Sequence, residues 1–469
     1  MRSVKATVEF SAFLAIGLIF SAHLSAQENS PFSRYGLGDL YPSQNIATRG
    51  MGGVSAAYSN EQALNTANPA SYSALKYVRY ANGTNGGLIT YDLGFSIDNR
   101  TLRSVSLGQT YKSTNLLPSY IQVGIPLSSK ADARQRNAGL VFGLKPATRI
   151  HYNIQDTVTE STYLKQTLYE GNGGLNQVFV GLAKRFNNLS IGVNAGYEFG
   201  RKDVNTRVIL TDTGSFFNYY PSNSAQNTSF WGLYVMPGIS YNVKLSESKK
   251  EGNAYSEAYF LKFGAAATLA HTLKSSTDTL RETFSYNSSG GTVPIDTVHS
   301  VSHVNGNIEI PMTYNAGFML SKKYVIGQNA VATKWAIGAD YSAGKWSGFS
   351  YYGAKDRVID NWMLRVGGEF VPSLTSPRLF SRSTYRLGFY TGKDYINADG
   401  NTYNLRALTF GFGFFVKKFT SYDNNSTFIN TAFEIGKRGS NVNNVTENFF
   451  KFSLGLSLAD LWFIKRKYD

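Results

Sequence analysis

Apolar residues alternate one by one with small or polar residues along many stretches of this chain. In residues 189–200, "LSIGVNAGYEFG", every odd position is apolar and every even position is small or polar. The same alternation runs through residues 335–342, 408–416 and 449–459. A period of two residues is typical of a β-strand with one apolar face. The pattern therefore predicts an all-β protein.

Two kinds of β protein show this alternation. A soluble β-sandwich packs its apolar faces inward, whereas a membrane barrel turns them outward to lipid. The segments here run for about ten residues or more, which suits a tilted strand crossing the hydrocarbon layer. Their polar face is rich in glycine, as a crowded barrel interior requires. Aromatic residues also gather towards segment ends, as in interfacial girdles: Trp231, Tyr234, Trp346, Tyr351, Trp362, Trp462 and Phe463.

The alternating segments number about fourteen and predict a closed sheet, because backbone amides in lipid must all be paired within the protein. The segments start near residues 87, 116, 137, 174, 189, 229, 257, 308, 332, 361, 383, 404, 426 and 448. An even number places both ends of the barrel on the periplasmic side. The longest outer loop is expected at about residues 275–307. The predicted fold is a transmembrane antiparallel β-barrel over residues 81–469.

The first 26 residues have the pattern of an export signal. Arg2 and Lys5 precede an apolar run over residues 10–22, and cleavage is expected after Ala26. The apolar run is too short to span a bilayer comfortably as a helix. The chain contains no cysteine, so it has neither a disulfide nor a lipid-anchored cysteine. These features predict the outer membrane of a Gram-negative-type envelope.

The formal net charge is +15 at pH 7. Lysines and arginines are scattered, in pairs such as Lys249-Lys250 and Lys417-Lys418, without the basic stripe of a nucleic-acid-binding face. The expected anionic partners are therefore outer-membrane lipid and lipopolysaccharide. Nucleic acid is not an expected partner.

Residues 27–80 do not alternate. They contain "SPFSRYGLGDL", "RGMGGVSAAY" and "NPASYSAL", in which small residues and turn formers dominate. A barrel of about fourteen strands is wider than one that side chains alone can fill. A compact segment rich in glycine and alanine could fold within the lumen as a plug, or hatch. The alternative is a disordered periplasmic tail.

The hatch segment followed by this strand pattern resembles the FadL-type outer-membrane proteins over nearly the whole mature chain. The positions that carry the resemblance are Gly50, Gly52 and Gly53, followed by Asn68, Pro69 and Ala70. The resemblance implies passive uptake of fatty-acid-like hydrophobic molecules through a hatch-plugged barrel. PorV-like members of this broad family are instead stable subunits of secretion or assembly complexes. The end of the chain, with Trp462 and Phe463, resembles a final strand recognised by the barrel-assembly machinery, although charged residues follow it.

The third predicted strand, residues 139–154 ("GLVFGLKPATRIHYNI"), contains Pro146. A proline cannot donate to a sheet ladder and favours a bulge, so a local disruption is expected there. The FadL resemblance implies a kink in this strand that opens a lateral exit. Continued alternation places Leu140, Phe142, Leu144, Thr148, Ile150 and Tyr152 outward, and Val141, Lys145, Arg149 and His151 inward.

The predicted ligand path is Gly143, Lys145, Pro146, Arg149 and His151. The three basic residues could meet a substrate carboxylate, or they could pair with hatch acids such as Asp39 or Glu61. Buried charges inside barrels are usually neutralised internally.

No sequence motif predicts an enzyme. A GxSxG elbow and an HExxH metal motif are both absent from the sequence. His299 and His303 are four residues apart and fit incidental surface histidines better than a metal pair. We expect no catalytic residues, metal or cofactor. Two functions stay open, namely uptake of a hydrophobic ligand and an accessory role in an outer-membrane assembly or secretion complex.

Overall fold

The structure is a computed structural model. It describes residues 30–60, 63–75, 77–79, 85–104, 108–127, 137–159, 163–212, 219–249, 256–326, 329–373, 376–417, 426–440 and 443–462. The described part of the chain is mostly β-strand.

The alternating segments form antiparallel strands. Their bounds are β1 Asp39–Leu40, β2 Tyr77–Arg79, β3 Asn85–Ser104, β4 Thr110–Pro126, β5 Ala138–Pro146, β6 Thr148–Thr159, β7 Tyr163–Phe186, β8 Leu189–Asp212, β9 Ser222–Lys249, β10 Ser256–Thr268, β11 His271–Tyr286, β12 Thr292–Ile310, β13 Thr313–Ile326, β14 Asn329–Gly344, β15 Ser350–Tyr351, β16 Asn361–Phe370, β17 Thr384–Lys393, β18 Asn404–Lys417, β19 Ser426–Arg438 and β20 Val445–Trp462. Short α-helices span Ile46–Arg49 and Leu379–Arg382, and 3₁₀ turns span Pro31–Arg34, Pro69–Ala74, Trp346–Gly348 and Ala398–Gly400.

The sheet closes into a barrel of fourteen strands because β20 pairs with β3 along its whole length. Three barrel strands consist of two segments each: β5 and β6 form the third, β10 and β11 the seventh, and β12 and β13 the eighth. The all-β fold and the strand count predicted from the sequence are confirmed.

The two faces of the barrel strands differ as the alternation predicts. In β8, Ile191 is 48% exposed, whereas the neighbouring inward residue Asn194 is 1% exposed. Because an outward apolar face is stable only against lipid, the exposed row identifies the membrane-facing surface.

The seventh and eighth barrel strands extend beyond the wall as a long β-hairpin. In the wall, Ser256–Thr268 pairs with 313–325, and the pairing resumes at His271 and Ile310. Residues 292–305 of β12 are all exposed. The sequence predicted an outer loop over residues 275–307, but this segment is mostly β-strand and continues the strands of the wall. Bulges insert extra residues into β12 along this hairpin.

The described residues of the segment 30–75 are mostly buried, and they hydrogen-bond to inward-facing residues on many sides of the barrel. It contacts Asp92 of the first barrel strand, Ser190 of the fifth, Asp340 of the ninth and Thr409 of the twelfth. The segment therefore bonds to strands that lie far apart in the order of the closed sheet.

Candidate functional site

The third barrel strand is interrupted at Pro146. The β5 segment ends at Pro146, Ala147 is a bend, and β6 starts at Thr148. Both segments pair with β7, with Pro146 opposite Asn176 and Ile150 opposite Gly173. The third strand therefore carries one residue more than β7 across this stretch, which is a bulge. The ladder is broken where the sequence analysis expected it.

Beyond the bulge, each side chain of the third strand points to the opposite face of the sheet from the one that the sequence pattern predicted. Before the bulge, Phe142 is 42% exposed and Lys145 is 7% exposed, as predicted for outward and inward residues. After it, Thr148, Ile150 and Tyr152 are buried, and Thr148 Oγ1 donates to the Leu37 carbonyl at 2.6 Å. The outward assignment of these three residues was wrong, because one inserted residue shifts a two-residue period by half.

Arg149 and His151 consequently do not share the inward face of Lys145, and the inward assignment of these two residues was wrong. Arg149 Nη2 reaches sideways to the Pro118 carbonyl, 2.9 Å away in an exposed contact. The His151 backbone bonds to the start of the described chain, where its carbonyl accepts from Ser30 N at 3.1 Å. Gly143 is paired with Gln122 and precedes the break.

The interruption opens a gap between the second and third barrel strands. Their last pair is Ile121 and Leu144, and beyond it the described residues of β4 and β6 are not paired with each other. The N-terminal segment fills the start of this gap: Leu40 of β1 pairs with Thr148, and Tyr41 N donates to the Ala147 carbonyl at 2.9 Å.

Tyr41 and Arg149 connect the two sides of the gap. The Tyr41 hydroxyl lies 2.8 Å from Ser119 Oγ of β4, and the Arg149 guanidinium lies 5.2 Å from the centre of the Tyr41 ring. Together with β1 they form a closure, which we call the gap seal (Asp39–Tyr41 and Arg149).

The predicted hatch glycines lie where the N-terminal segment touches the wall at backbone distance. A Cβ on Gly50 would lie 2.8 Å from Gly411 Cα, and one on Gly388 would lie 2.1 Å from Gly52 N. Gly52 and Gly53 also have positive φ angles of 74° and 82°, which side chains disfavour. Glycines on both surfaces therefore allow the close packing.

Asn68, Pro69 and Ala70 start the 3₁₀ turn Pro69–Ala74. Asn68 Oδ1 accepts from Ala70 N at 3.0 Å, and Asn68 Nδ2 donates to the Ile239 carbonyl of β9 at 3.1 Å. A Cβ on Gly192 would lie 2.5 Å from the Pro69 carbonyl carbon. The motif therefore caps the turn and docks it on the wall.

Buried ion pairs hold the N-terminal segment to the wall. Arg49 Nη2 lies 2.6 Å from Glu434 Oε1 of β19. Asp39 lies 2.9 Å from both Arg100 of β3 and Arg438 of β19. The alternative that Asp39 pairs with Lys145, Arg149 or His151 was wrong, since arginines from other strands neutralise it. Glu61 lies outside the described residues.

Sequence reasoning missed the wall residues that receive the N-terminal segment, namely Asp340, Glu434 and Arg438. Asp340 Oδ2 accepts from Ala56 N at 2.7 Å, and Glu434 pairs with Arg49. Each lies on the polar face of an alternating strand. The only sequence feature that could have identified them is a single charged residue among small inward-facing residues. That signal marks a buried charge but does not name its partner.

A cavity of about 380 Å³ remains between the N-terminal segment and the wall. It reaches the interrupted strand at Lys145, Pro146 and Ala147. Its lining includes seven lysines and arginines and five acids: Arg49, Arg100, Lys145, Arg365, Lys393, Arg438 and Lys451, and Asp39, Glu198, Asp394, Glu434 and Glu447. Uptake of a hydrophobic ligand requires an apolar pocket, whereas this lining combines apolar surface with twelve charged side chains.

The predicted aromatic girdle is only partly outward. Trp231 and Trp362 are exposed on the outer surface, whereas Tyr234 and Trp346 are buried and line the cavity. Their inward placement corrects the girdle prediction. Trp462 is the last residue of β20, and Phe463 lies outside the described residues.

His299 and His303 are exposed on β12. Among the described residues, no group of three or more histidines and acids is arranged to hold a metal ion. Within the same ranges, no helix is long and apolar enough to cross a membrane.

This architecture has the fold of the FadL-type β-barrels. The chain belongs to the BamG family, whose model matches residues 10–469. No functionally curated protein matches the sequence.

Solved structures similar to this chain include a FadL homologue and two toluene transporters. The FadL homologue of Pseudomonas aeruginosa is 12% identical with a TM-score of 0.50, and the match covers 90% of this chain and 99% of that one. The toluene transporter TbuX of Ralstonia pickettii is 13% identical with a TM-score of 0.48, covering 89% and 98%. The toluene transporter TodX of Pseudomonas putida is 12% identical with a TM-score of 0.46, covering 90% and 99%. At these identities the likeness to the FadL homologue shows the fold alone.

Proposed function

We propose that this chain is a non-transporting subunit of an outer-membrane protein-assembly complex, exported by residues 1–26, with residues 27–80 serving as a permanent hatch. Membership of the BamG family points to a link with barrel assembly. The observation that carries the proposal is the ion-paired attachment of the N-terminal segment to the wall.

Breaking this attachment is costly. Removing one partner of a buried ion pair typically costs about 3–5 kcal/mol, because the other charge is left uncompensated. The N-terminal segment makes buried pairs through Arg49 and through Asp39. A passive flow of apolar molecules offers no charged group to replace those partners. The segment therefore suits a fixed plug better than a moving gate.

The experiment is extraction of the tagged, full-length protein from its own membrane in a mild detergent. We expect a stable, stoichiometric complex that contains the core barrel of the assembly machinery. Depletion of the chain should lower the insertion of other barrels into the outer membrane and leave fatty-acid uptake unchanged. A lone barrel carrying lipid would contradict the proposal, and an unrelated tagged barrel from the same membrane is the control.

Uptake of hydrophobic molecules with lateral exit is the second candidate. The break in the third strand borders the cavity, which supports it. For an exit here, β1 must leave the gap between β4 and β6.

A disulfide separates the two candidates cleanly, since the chain has no cysteine of its own. Leu40 and Thr148 are directly paired, and paired residues of antiparallel strands are close enough for a disulfide. We expect the oxidised Leu40→Cys/Thr148→Cys variant to support barrel assembly at the unmodified level. If uptake is the function, oxidation should abolish fatty-acid uptake and reduction should restore it, while the single variant Leu40→Cys responds to neither.

A further inference from the structure

The lumen cavity has the features of a binding site for a charged solute. Residues from the N-terminal segment, such as Arg49, and from opposite walls, such as Lys145 and Arg365, line the same space of about 380 Å³. Apolar ligand pockets are lined mainly by hydrophobic side chains with few polar groups. This cavity also has apolar surface, but its lining differs from such a pocket in carrying twelve lysine, arginine and acidic side chains.

The ammonium group of Lys145 is buried and has few hydrogen-bond partners among the described residues. Within the described residues, its Nζ has one hydrogen bond, a long one of 3.5 Å to Thr66 Oγ1, and lies 5.6 Å from the centre of the Phe179 ring. An ammonium group carries three donors. The nearby carboxylate of Glu198 is already bonded by Gln177 Nε2 at 2.6 Å and by His271 Nε2 at 2.8 Å.

Arg365 stands on another wall of the cavity in a similar condition. It donates to Ser342 Oγ and lies opposite Asp340 of β14, but within the ranges that the structure describes no carboxylate oxygen is within 4.0 Å of it. A guanidinium carries five donors in a fixed fork that fits a carboxylate.

Other polar atoms around the cavity also lack protein partners. Tyr234 Oη and Trp346 Nε1 are buried donors without a hydrogen bond in the described structure, and Asn361 Oδ1 is an acceptor in the same condition. All three residues line the cavity. Because buried polar groups are almost always hydrogen-bonded, these three atoms favour a polar occupant of the cavity.

We propose that this cavity binds a small organic anion that carries at least one carboxylate, with Lys145 and Arg365 as its cationic contacts. A carboxylate accepts from ammonium and guanidinium donors in short, charge-assisted hydrogen bonds. The hydroxyl of Tyr234 and the indole N–H of Trp346 supply further donors. A hydrocarbon would leave both cations and both neutral donors unsatisfied. The inference goes beyond the proposed function and does not depend on it.

The test is titration calorimetry on the purified full-length barrel in detergent. Acetate, succinate and citrate are the probes, with sodium chloride at matched ionic strength as the background and succinamide as the uncharged analogue of succinate. We expect at least one carboxylate to bind at a single site and succinamide not to bind. Lys145→Met should weaken binding by about tenfold or more, because a hydrogen bond to a charged group is lost.

The matched control is Lys345→Met. It removes the same charge from a side chain that is 66% exposed and is not part of the cavity lining, so binding should be unchanged. Arg365→Gln provides a second variant if Lys145→Met does not fold. The proposal is overturned if none of the three carboxylates binds above the salt background, or if they bind the Lys145 and Arg365 variants as tightly as the unmodified protein. A cavity holding only water would give that result.

Discussion

Individual inward-facing glycines set how closely the N-terminal segment approaches the barrel wall. A Cβ on Gly367 would lie 2.1 Å from the Met51 carbonyl oxygen, and a Cβ on Gly264 would lie 1.9 Å from the Ala56 carbonyl oxygen. Both distances are far below van der Waals contact, so even alanine would push the segment away. The strand face that carries small residues in the sequence is therefore the surface on which the backbone of the N-terminal segment packs.

Gly388→Ala tests this packing. Its Cβ would meet Gly52 N at 2.1 Å, and overpacking of this kind typically costs about 1–3 kcal/mol. We expect a loss of that size or larger in the free energy of unfolding, measured by urea titration in detergent, together with faster trypsin cleavage of the N-terminal segment. Gly348→Ala is the control, because its nearest neighbour is 3.9 Å away. Equal stability of the two variants would refute the packing argument.

Asp39 provides an electrostatic anchor whose pH dependence is defined. Burial favours its neutral form, but Arg438 and Arg100 outweigh burial and hold the pKa of Asp39 below its ordinary value of 3.8. A carboxyl group with a depressed folded-state pKa stabilises the fold above its unfolded pKa and loses that contribution as the pH falls through the folded-state value. The anchor should therefore persist in any mildly acidic medium.

We expect Asp39→Asn to lower the free energy of unfolding by roughly 3–5 kcal/mol at pH 7, since Arg100 and Arg438 lose a buried counter-charge. The same penalty should be measured at about pH 5, above the unfolded pKa. Asp360→Asn, which removes a carboxylate from an exposed pair with Lys345, should cost less than about 1 kcal/mol. Below the unfolded pKa the penalty should shrink, so a penalty for Asp39→Asn that stays constant between pH 5 and about pH 2 would show that the pKa of Asp39 is not depressed.

At the scale of elements, the bulge between β5 and β6 determines what the third barrel strand presents to each side. Up to Lys145 the strand follows its predicted faces, and from Thr148 the faces are exchanged. The same bulge separates the strand from β4 and lets β1 pair with it. One residue thus creates both the gap and the surface that closes it.

The gap seal can be probed by cysteine labelling. Thr148 is 5% exposed, so Thr148→Cys should react slowly with a membrane-impermeant maleimide. Adding Tyr41→Ala removes the contacts with Ser119 and Arg149, and we expect labelling to become about tenfold faster, as for a loss of roughly 1.4 kcal/mol.

Ser190→Cys is the control position. It is equally buried but lies on β8, away from the gap, so Tyr41→Ala should leave its labelling rate unchanged. Faster labelling at both positions would indicate general loosening of the barrel. Unchanged labelling at position 148 would mean that Tyr41 does not help to close the gap.

At the scale of the whole molecule, the barrel divides into a wall that carries the fold and hairpins that extend past it. The ladder between Ser256–Thr268 and 313–325 is complete without the hairpin above it. The hairpin tip is exposed and includes the apolar residues Val293, Ile295 and Val298. Behind the tip, β11 pairs with β9 and Phe284 is buried, whereas residues 286–292 are all exposed and contribute little to the burial that holds the barrel together.

Replacing residues 286–292 by an Asn-Gly turn tests this division and keeps the ladder between β11 and β9. The turn would join Ser285 to Val293, which are already paired, and Asn-Gly favours a two-residue hairpin. We expect a folded barrel with the heat-modifiable gel mobility of the unmodified protein. Failure of this variant to fold would show that the tip is part of the folding unit.

The sequence alone determined the class of fold. Alternation with a period of two is a local property, so the sequence of each strand shows which of its faces meets lipid. The sheet must close because every backbone amide in a membrane has to be paired. The proline in the third strand also predicted its own break, because a missing N–H is a property of one residue.

Only the tertiary structure decided how the lumen is organised. Arg49 and Glu434 are 385 residues apart, and no local pattern relates them. The exchange of faces after Pro146 required the position of one inserted residue, which is fixed by pairing with β7. Buried charges choose partners by three-dimensional proximity, and for that reason the contents of this barrel could not be read from the alternation that built its wall.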